Sequence, residues 1–227
     1  MLFRSRKTVV NYNKITAYIT MILFFLFINF INFVQSLRVC VVGASSSLGR
    51  EIIYQGLNDY NYNMIGVTKT PEKVCVPYRG TGLNDKSDKT PIEHKNLELY
   101  TYLDKLPDYN SIVFCTGGTA FEKLDYSDLL TEKYLQNLSK DCNSIHLISA
   151  YGVGDSINGA NVGIVSMRNW YLKNGYRAKE RQENLVNNFK RPIKKNIYRP
   201  KVLSYGDTFF ESTPRENLAK QILDNIC

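Results

Sequence analysis

The chain has 227 residues, 44% of them apolar and 22% charged, which suits one globular domain with an appendage. Its formal charge of +8 includes Arg4, Arg6, Lys7 and Lys14 in an acid-free first 36 residues, so residues 37–227 carry only +4, too weak and dispersed for nucleic acid. The two histidines, His94 and His146, share no ligand spacing with the five cysteines, which argues against a metal site.

Residues 15–36, ITAYITMILFFLFINFINFVQS, follow that basic stretch without a single charge. They read as the n-region and h-region of a secretory signal, and Val34 and Ser36 fit the small-residue rule for cleavage after Ser36. About 20 apolar residues can also span a bilayer. An uncleaved anchor therefore competes, weakened at its centre by Asn29 and Asn32, and a core helix of the domain is the third reading. In both membrane readings the basic end stays cytosolic and the rest is translocated. That implies the endoplasmic reticulum lumen, or an anchored domain facing it.

The cysteines, at 40, 75, 115, 142 and 227, lack the spacing of a disulfide framework. Cys40 and Cys115 fall inside apolar runs, where buried free thiols are common. Such usage suits a reducing compartment and leaves onward import into a plastid as the alternative. Asn137-Leu138-Ser139 is a glycosylation sequon that falls within a predicted helix.

From residue 37 the pattern alternates between strand and helix, which predicts a mainly parallel sheet covered on both faces. LRVCVVG (37–43) reads as a buried first strand. A helix follows over 47–57, with Leu48, Ile52, Ile53 and Leu57 on one face. NMIGVTK (63–69) is the second strand, and the polar stretch 70–96 is a surface excursion. LELYTYL (97–103) holds a third strand and SIVFCTGG (111–118) a fourth. A helix over 126–141 leads to a fifth strand, SIHLISAYG (144–152). A mainly helical stretch over 170–189, a sixth strand (196–206) and a closing helix (214–226) complete the pattern. The architecture expected is a Rossmann-type, doubly wound α/β fold with a small C-terminal substrate lobe.

The bend after the first strand carries the main functional signal. Binding a diphosphate takes a tight turn, a backbone the phosphates can approach and a helix N-terminus aimed at them. Gly43 supplies the turn, and Gly49 lets the helix pack closely on the sheet. Ala44, Ser45, Ser46 and Ser47 between them are small, and serine hydroxyls can add hydrogen bonds to phosphate. Leu48 completes the turn. Ser46 takes the place where a middle glycine is usual, which is tolerable if its φ stays negative. The plain alternative is a structural turn with a serine N-cap.

At the end of the second strand a carboxylate would select NAD(H) by accepting hydrogen bonds from the ribose 2′-hydroxyl. The sequence there is VTKT, with Thr68, Lys69 and Thr70 and no acid. Lys69 can neutralise a 2′-phosphate and the threonines can hydrogen-bond it, so NADP(H) is favoured over NAD(H). The alternative is a solvated lysine at a strand end.

Five ordered pieces, VVGASSSLG, CTGG, LISAYG, YRAKERQENL and YRPKVLSYG with PRENLAKQI, resemble the short-chain dehydrogenase/reductase superfamily over about 37–222. They are most similar to its atypical branch of small NAD(P)H-binding and NmrA-like proteins. The resemblance implies that Thr116, Gly117 and Gly118 lie near the adenosine ribose and the diphosphate. It makes Ser149 the serine that orients a substrate carbonyl, and Lys179 the lysine that hydrogen-bonds the nicotinamide ribose. Glu183 lies four residues on, on the same helix face as Lys179, so an exposed Lys179–Glu183 pair is the bland reading of that lysine. Arg199 and Pro200 match the Arg-Pro that opens the substrate lobe.

The family's proton donor is a tyrosine four residues before the lysine, its pKa lowered by the nearby ammonium. Here that position is Gly175. Tyr176 stands three before Lys179, about 100° round the helix from the expected direction. Tyr176 can serve if the helix starts late, Tyr151 can reach in from the loop after the fifth strand, or no side chain acts and solvent supplies the proton. Two functions are therefore expected. One is an NADPH-dependent oxidoreductase passing hydride to a small acceptor in a cleft bordered by Ser149, Tyr151 and residues 204–213. The other is a non-catalytic NAD(P)H-binding regulator or assembly factor for a membrane complex, attached through 15–36.

Overall fold

A computed structural model describes residues 18–22, 37–84, 86, 89–117, 126–170, 172–206 and 211–226. The chain divides into two units, 1–36 and 37–227. Of the first, only Tyr18 to Ile22 is described, as helix, so most of the signal or anchor expected over 15–36 lies outside the described residues. Among the described residues no helix is long and apolar enough to cross a membrane.

The second unit is built on six parallel strands: β1 (Arg38–Val42), β2 (Asn63–Val67), β3 (Leu97–Tyr100), β4 (Ser111–Phe114), β5 (Ser144–Ile148) and β6 (Lys194–Tyr198). Their spatial order is β3-β2-β1-β4-β5-β6. The order reverses direction between β1 and β4, and in such sheets ligands bind beyond the carboxyl ends of the strands at that point. The expected doubly wound parallel sheet is present.

Strand alternation explains why the sheet needs cover on both sides. Val39 and Val41 face the side taken by α1 (Ser47–Asn58) and the last helix, α5 (Arg215–Asp224), where Ile52, Ile53, Leu218, Ile222 and Leu223 close the core. Cys40 and Val42 face the other side, where Tyr134 and Leu135 of α2 (Ser127–Gln136) and Val186 of α4 (Lys173–Asn187) pack on Ile112, Phe114, Ile145 and Leu147. Cys40, Cys75, Cys115 and Cys142 are all buried free thiols. Burial raises the Cys115 thiol to about 12.

Three boundaries differ from expectation. The mainly helical stretch expected over 170–189 holds α4, and a helix that the pattern did not show, α3 (Val162–Asn169), precedes it. The sixth strand expected over 196–206 is also divided. β6 stops at Tyr198 ahead of Pro200, and Val202–Ser204 forms β7, which pairs in parallel with β8 (Ser212–Pro214) in a separate sheet. Proline has no amide to donate to a ladder, which accounts for the stop. Finally, α2 ends at Gln136, so the sequon Asn137-Leu138-Ser139 follows the helix instead of lying in it.

The excursion 70–96 is tied down at several points. Gly82 and Tyr205 exchange backbone hydrogen bonds of 2.9 and 2.7 Å, joining this stretch to the C-terminal lobe. Arg79 reaches Glu51 on α1 at 2.7 Å.

Candidate functional site

The site is assembled where β1 gives way to α1. The chain turns at Gly43 with φ +91°, and a Cβ there would come within 2.9 Å of the Cys115 carbonyl beside it. Only glycine fits. The Gly43 and Ala44 amides donate to Val67 O at 2.9 and 3.1 Å, which fastens the bend to the end of β2. At Gly49 a Cβ would lie 2.4 Å from Gly43 O, so this second glycine lets the helix seat against the bend.

Ser46 decides whether the bend is open. Its backbone is extended, with φ −67° and ψ 153°, so the negative φ that a serine requires is met. Its Oγ accepts from Gly49 N at 3.0 Å as the N-cap of α1. The side chain is thus turned back onto its own helix. The Ser46 amide donates to Gly43 O. Among the described residues the amides of Ser45, Ser47 and Leu48 meet no acceptor. Unsatisfied amides at a helix N-terminus, with the positive end of the helix dipole behind them, form an anion site.

Not every serine hydroxyl is spare. Ser45 Oγ lies 2.7 Å from Thr68 Oγ1 and receives Thr70 Oγ1 at 3.3 Å, while the Thr70 amide donates to Thr68 Oγ1. Thr68 is buried and braces the bend. Lys69, next along, is exposed, with its Nζ 5.9 Å from the centre of the Tyr102 ring. No carboxylate stands at Thr68, Lys69 or Thr70.

The other side of the site is formed by the ends of β4 and β5 together with α4. Thr116 is buried, and Gly117 follows it with Lys179 close by: a Cβ on Gly117 would meet Lys179 Cε at 3.3 Å. Gly118 lies outside the described residues. The Lys179 ammonium donates to Thr116 O and, at 2.7 Å, to Ile148 O. It therefore stitches the carboxyl ends of two neighbouring strands. Gln182, one turn on, reinforces this by donating to Thr116 Oγ1 at 3.1 Å and Thr131 Oγ1 at 2.7 Å. The bland Lys179–Glu183 pair is not the arrangement found for the acid. Glu183 is buried and takes the Arg199 guanidinium in a two-point bond of 2.9 and 2.8 Å.

Ser149 follows β5 with its amide on Tyr198 O, and its Oγ is buried without a hydrogen-bond partner. A buried hydroxyl without a partner carries a free-energy cost that a bound group could remove. The two tyrosines are engaged elsewhere. Tyr151 donates to Gly159 O at 2.6 Å, and Tyr176 donates to Tyr151 O at 3.0 Å. Burial raises the Tyr176 phenol above its usual pKa, against a smaller lowering by Arg168.

Sequence reasoning missed Gln182 and the Arg199–Glu183 clamp. An acid at 183 and an arginine at 199 gave no signal of pairing, because only the fold brings α4 and the end of β6 together.

No protein-family model matches the chain. No curated protein matches it either. Among solved structures it is similar to a short-chain dehydrogenase/reductase of Veillonella parvula in complex with NADP, with a TM-score of 0.56 at 12% identity, over 84% of this chain and 87% of that one. The anaerobillin reductase ChuY of Escherichia coli O157:H7 superposes with a TM-score of 0.53 at 13% identity, over 82% and 89%. A Rossmann-fold NAD(P)-binding family protein of Shigella flexneri gives 0.51 at 15% identity, over 85% and 87%. Identities this low speak for shape. In strand order, bend and covering helices, the chain has the Rossmann-type fold shared by these NAD(P)-binding and short-chain dehydrogenase/reductase structures.

Proposed function

We propose that the chain is an oxidoreductase that binds NADP(H) at the Gly43–Gly49 bend and passes hydride to a small acceptor beyond the carboxyl ends of the strands. The observation that carries this reading is the bend itself. Its amides at Ser45, Ser47 and Leu48 are unengaged among the described residues, while Ser46 is folded back out of their way. Gly43 and Gly49 accept no Cβ, because one would meet the Cys115 carbonyl and Gly43 O, so they fix the shape of the bend that presents these amides. A nicotinamide dinucleotide bound there would supply the hydride chemistry.

The chain's own residues divide the remaining work. Ser47 and Leu48 hold the diphosphate, and Lys69 neutralises a 2′-phosphate. Thr116, Gly117 and Lys179 shape the floor beneath the ribose, and the Ser149 hydroxyl, lacking a partner, orients the acceptor. Tyr176 and Tyr151 do not deliver the proton in this scheme, since both hydroxyls already donate to main-chain carbonyls. The proton comes from solvent, and the acceptor is one that takes hydride readily, such as a flavin, a quinone or a conjugated ring.

The engaged tyrosines also favour a second reading, a non-catalytic NAD(P)H-binding regulator or assembly factor. Titrating the purified protein with NADPH and NADH by fluorescence, then following nicotinamide absorbance against quinone, flavin and aldehyde acceptors, separates the two. Turnover with any acceptor supports the enzyme. Tight NADPH binding with no turnover supports the regulator. The basic and then uncharged start of the chain supports entry into the secretory pathway, which a protease-protection assay on translated chain with microsomes tests.

A further inference from the structure

The first residue of α5 raises a separate question. Arg215 Nε and Nη1 are both buried, and neither has a hydrogen-bond partner. The guanidinium carbon sits 4.2 Å from the centre of the Tyr205 ring, and the Tyr205 hydroxyl is itself buried without a hydrogen-bond partner, in a residue only 4% exposed. A cation and a phenol left so close together, each short of an acceptor or donor, are an expensive arrangement unless something completes it.

The nearby acids do not complete it. Glu51 accepts from Arg79 at 2.7 Å and from Gln55 at 2.7 Å. Glu216 faces Arg79 at 3.6 Å. Among the described residues no carboxylate pairs with Arg215. Arg50, one residue beyond Gly49 on α1, is also buried and close enough for its charge to depress the Arg215 pKa, after burial itself. Among the described residues, Arg50, Arg79 and Arg215 share this corner with Glu51 and Glu216. Arg215 lies where α5 begins, so the positive end of that helix adds to its charge.

We propose that Arg215, with the Tyr205 hydroxyl beside it, receives a carboxylate or phosphate group, and that this group belongs to the hydride acceptor. A planar guanidinium fork suits an oxyanion with two parallel hydrogen bonds, and a phenol can add a third. Arg50, one residue past Gly49, puts this pair near the bend that begins at Gly43, and Tyr205 lies within 204–213, the stretch expected to border the acceptor. The acceptor is therefore an acidic small molecule. That last assignment rests on the oxidoreductase reading, whereas the anion pocket does not.

The test uses the full-length protein, with inorganic phosphate and malonate as probes. Each is titrated by calorimetry, once without nucleotide and once with saturating NADPH. The wild-type protein should bind a probe under both conditions, so that anion and nucleotide occupy different places. Arg215→Gln should weaken probe binding about tenfold or more, and Arg215→Lys less, because the charge stays but the fork is lost. Tyr205→Phe, which keeps the ring under the guanidinium, should weaken it by about threefold. NADPH affinity should change by less than about twofold in all three variants.

Equal probe binding by wild type and Arg215→Gln would overturn the pocket, and so would the absence of probe binding in the wild type. Competition between probe and NADPH would assign the pocket to the nucleotide's own phosphate and overturn the acidic acceptor. If Arg215→Gln does not fold, the Tyr205→Phe titration decides alone. Failure of the oxidoreductase reading looks different: wild-type protein would not bind NADPH at all, while the probe titration would still stand or fall by itself.

Discussion

The two sides of the candidate site are built on opposite plans. At the Gly43–Gly49 bend the backbone is shaped by its own short-range rules, and the amides of Ser45, Ser47 and Leu48 stay unengaged among the described residues. On the β5–α4 side nearly every group that chemistry would use is already spent on the protein. Lys179 holds two carbonyls, Tyr176 and Tyr151 each hold one, and Glu183 holds Arg199. Among the described residues, the Ser149 hydroxyl and Gln182 Oε1 are left over there. The first side is prepared for a ligand, and the second is prepared mainly to keep its shape. A site of this kind can bind a dinucleotide firmly while leaving proton transfer to water.

The contrast breaks most readily at Gly49. Gly49→Val puts a side chain where even a Cβ would lie 2.4 Å from Gly43 O. The bend must shift, at a cost of about 3 kcal/mol or more, and NADPH binding should be lost. Melting temperature and fluorescence titration together check this, and normal NADPH affinity in a folded variant would contradict it.

A pH titration sharpens the view that the β5 side is a structural floor. His146, fully buried on β5, lies 3.1 Å from both Tyr198 Oη and Ser144 Oγ. Burial, helped by the Lys194 charge, lowers its pKa from 6.5 to about 4. The folded protein therefore binds this proton less readily than the unfolded chain does. The contribution is present in full above about pH 6.5 and is lost as pH falls towards 4, amounting to about 3 kcal/mol. His146→Gln should flatten that acid limb in denaturant unfolding. An unchanged limb would place the acid sensitivity elsewhere.

Much of this was legible from the residues alone, and the reasons are local. Strand alternation, the turn glycines and the helix after them each depend on a few neighbouring positions, so β1, α1 and the bend between them stand close to where the pattern put them. The division of the sixth strand was less legible, although Pro200 marks it, because β7 finds its partner in β8 eight residues on. The Gly82–Tyr205 tie and the Arg199–Glu183 clamp depend on partners 123 and 16 residues apart, pairings that no periodicity reveals. Tyr176 shows the same limit. Its spacing from Lys179 raised the doubt, but only the fold shows its hydroxyl turned to Tyr151 O.

Smaller effects test the finer assignments. Lys69→Glu should weaken NADPH by about tenfold to a hundredfold, since it replaces an attraction with a repulsion at the 2′-phosphate, and leave NADH nearly unchanged. Equal losses for both nucleotides would remove Lys69 from the 2′-position. The smallest change is expected from Tyr176→Phe. General acid catalysis contributes about 10²–10⁴-fold where it operates, so turnover with a reducible acceptor should fall by less than about threefold if solvent provides the proton. A loss of about a hundredfold would restore Tyr176 as the acid.

The central claim is that the backbone between Gly43 and Gly49 receives a diphosphate. It is tested most directly by amide NMR of the isotopically labelled protein during an NADPH titration. Large shifts at Ser45, Ser47 and Leu48, saturating together with nicotinamide fluorescence, are the result predicted here. Fluorescence saturation with those three amides unmoved, or no NADPH binding by folded protein, would contradict it.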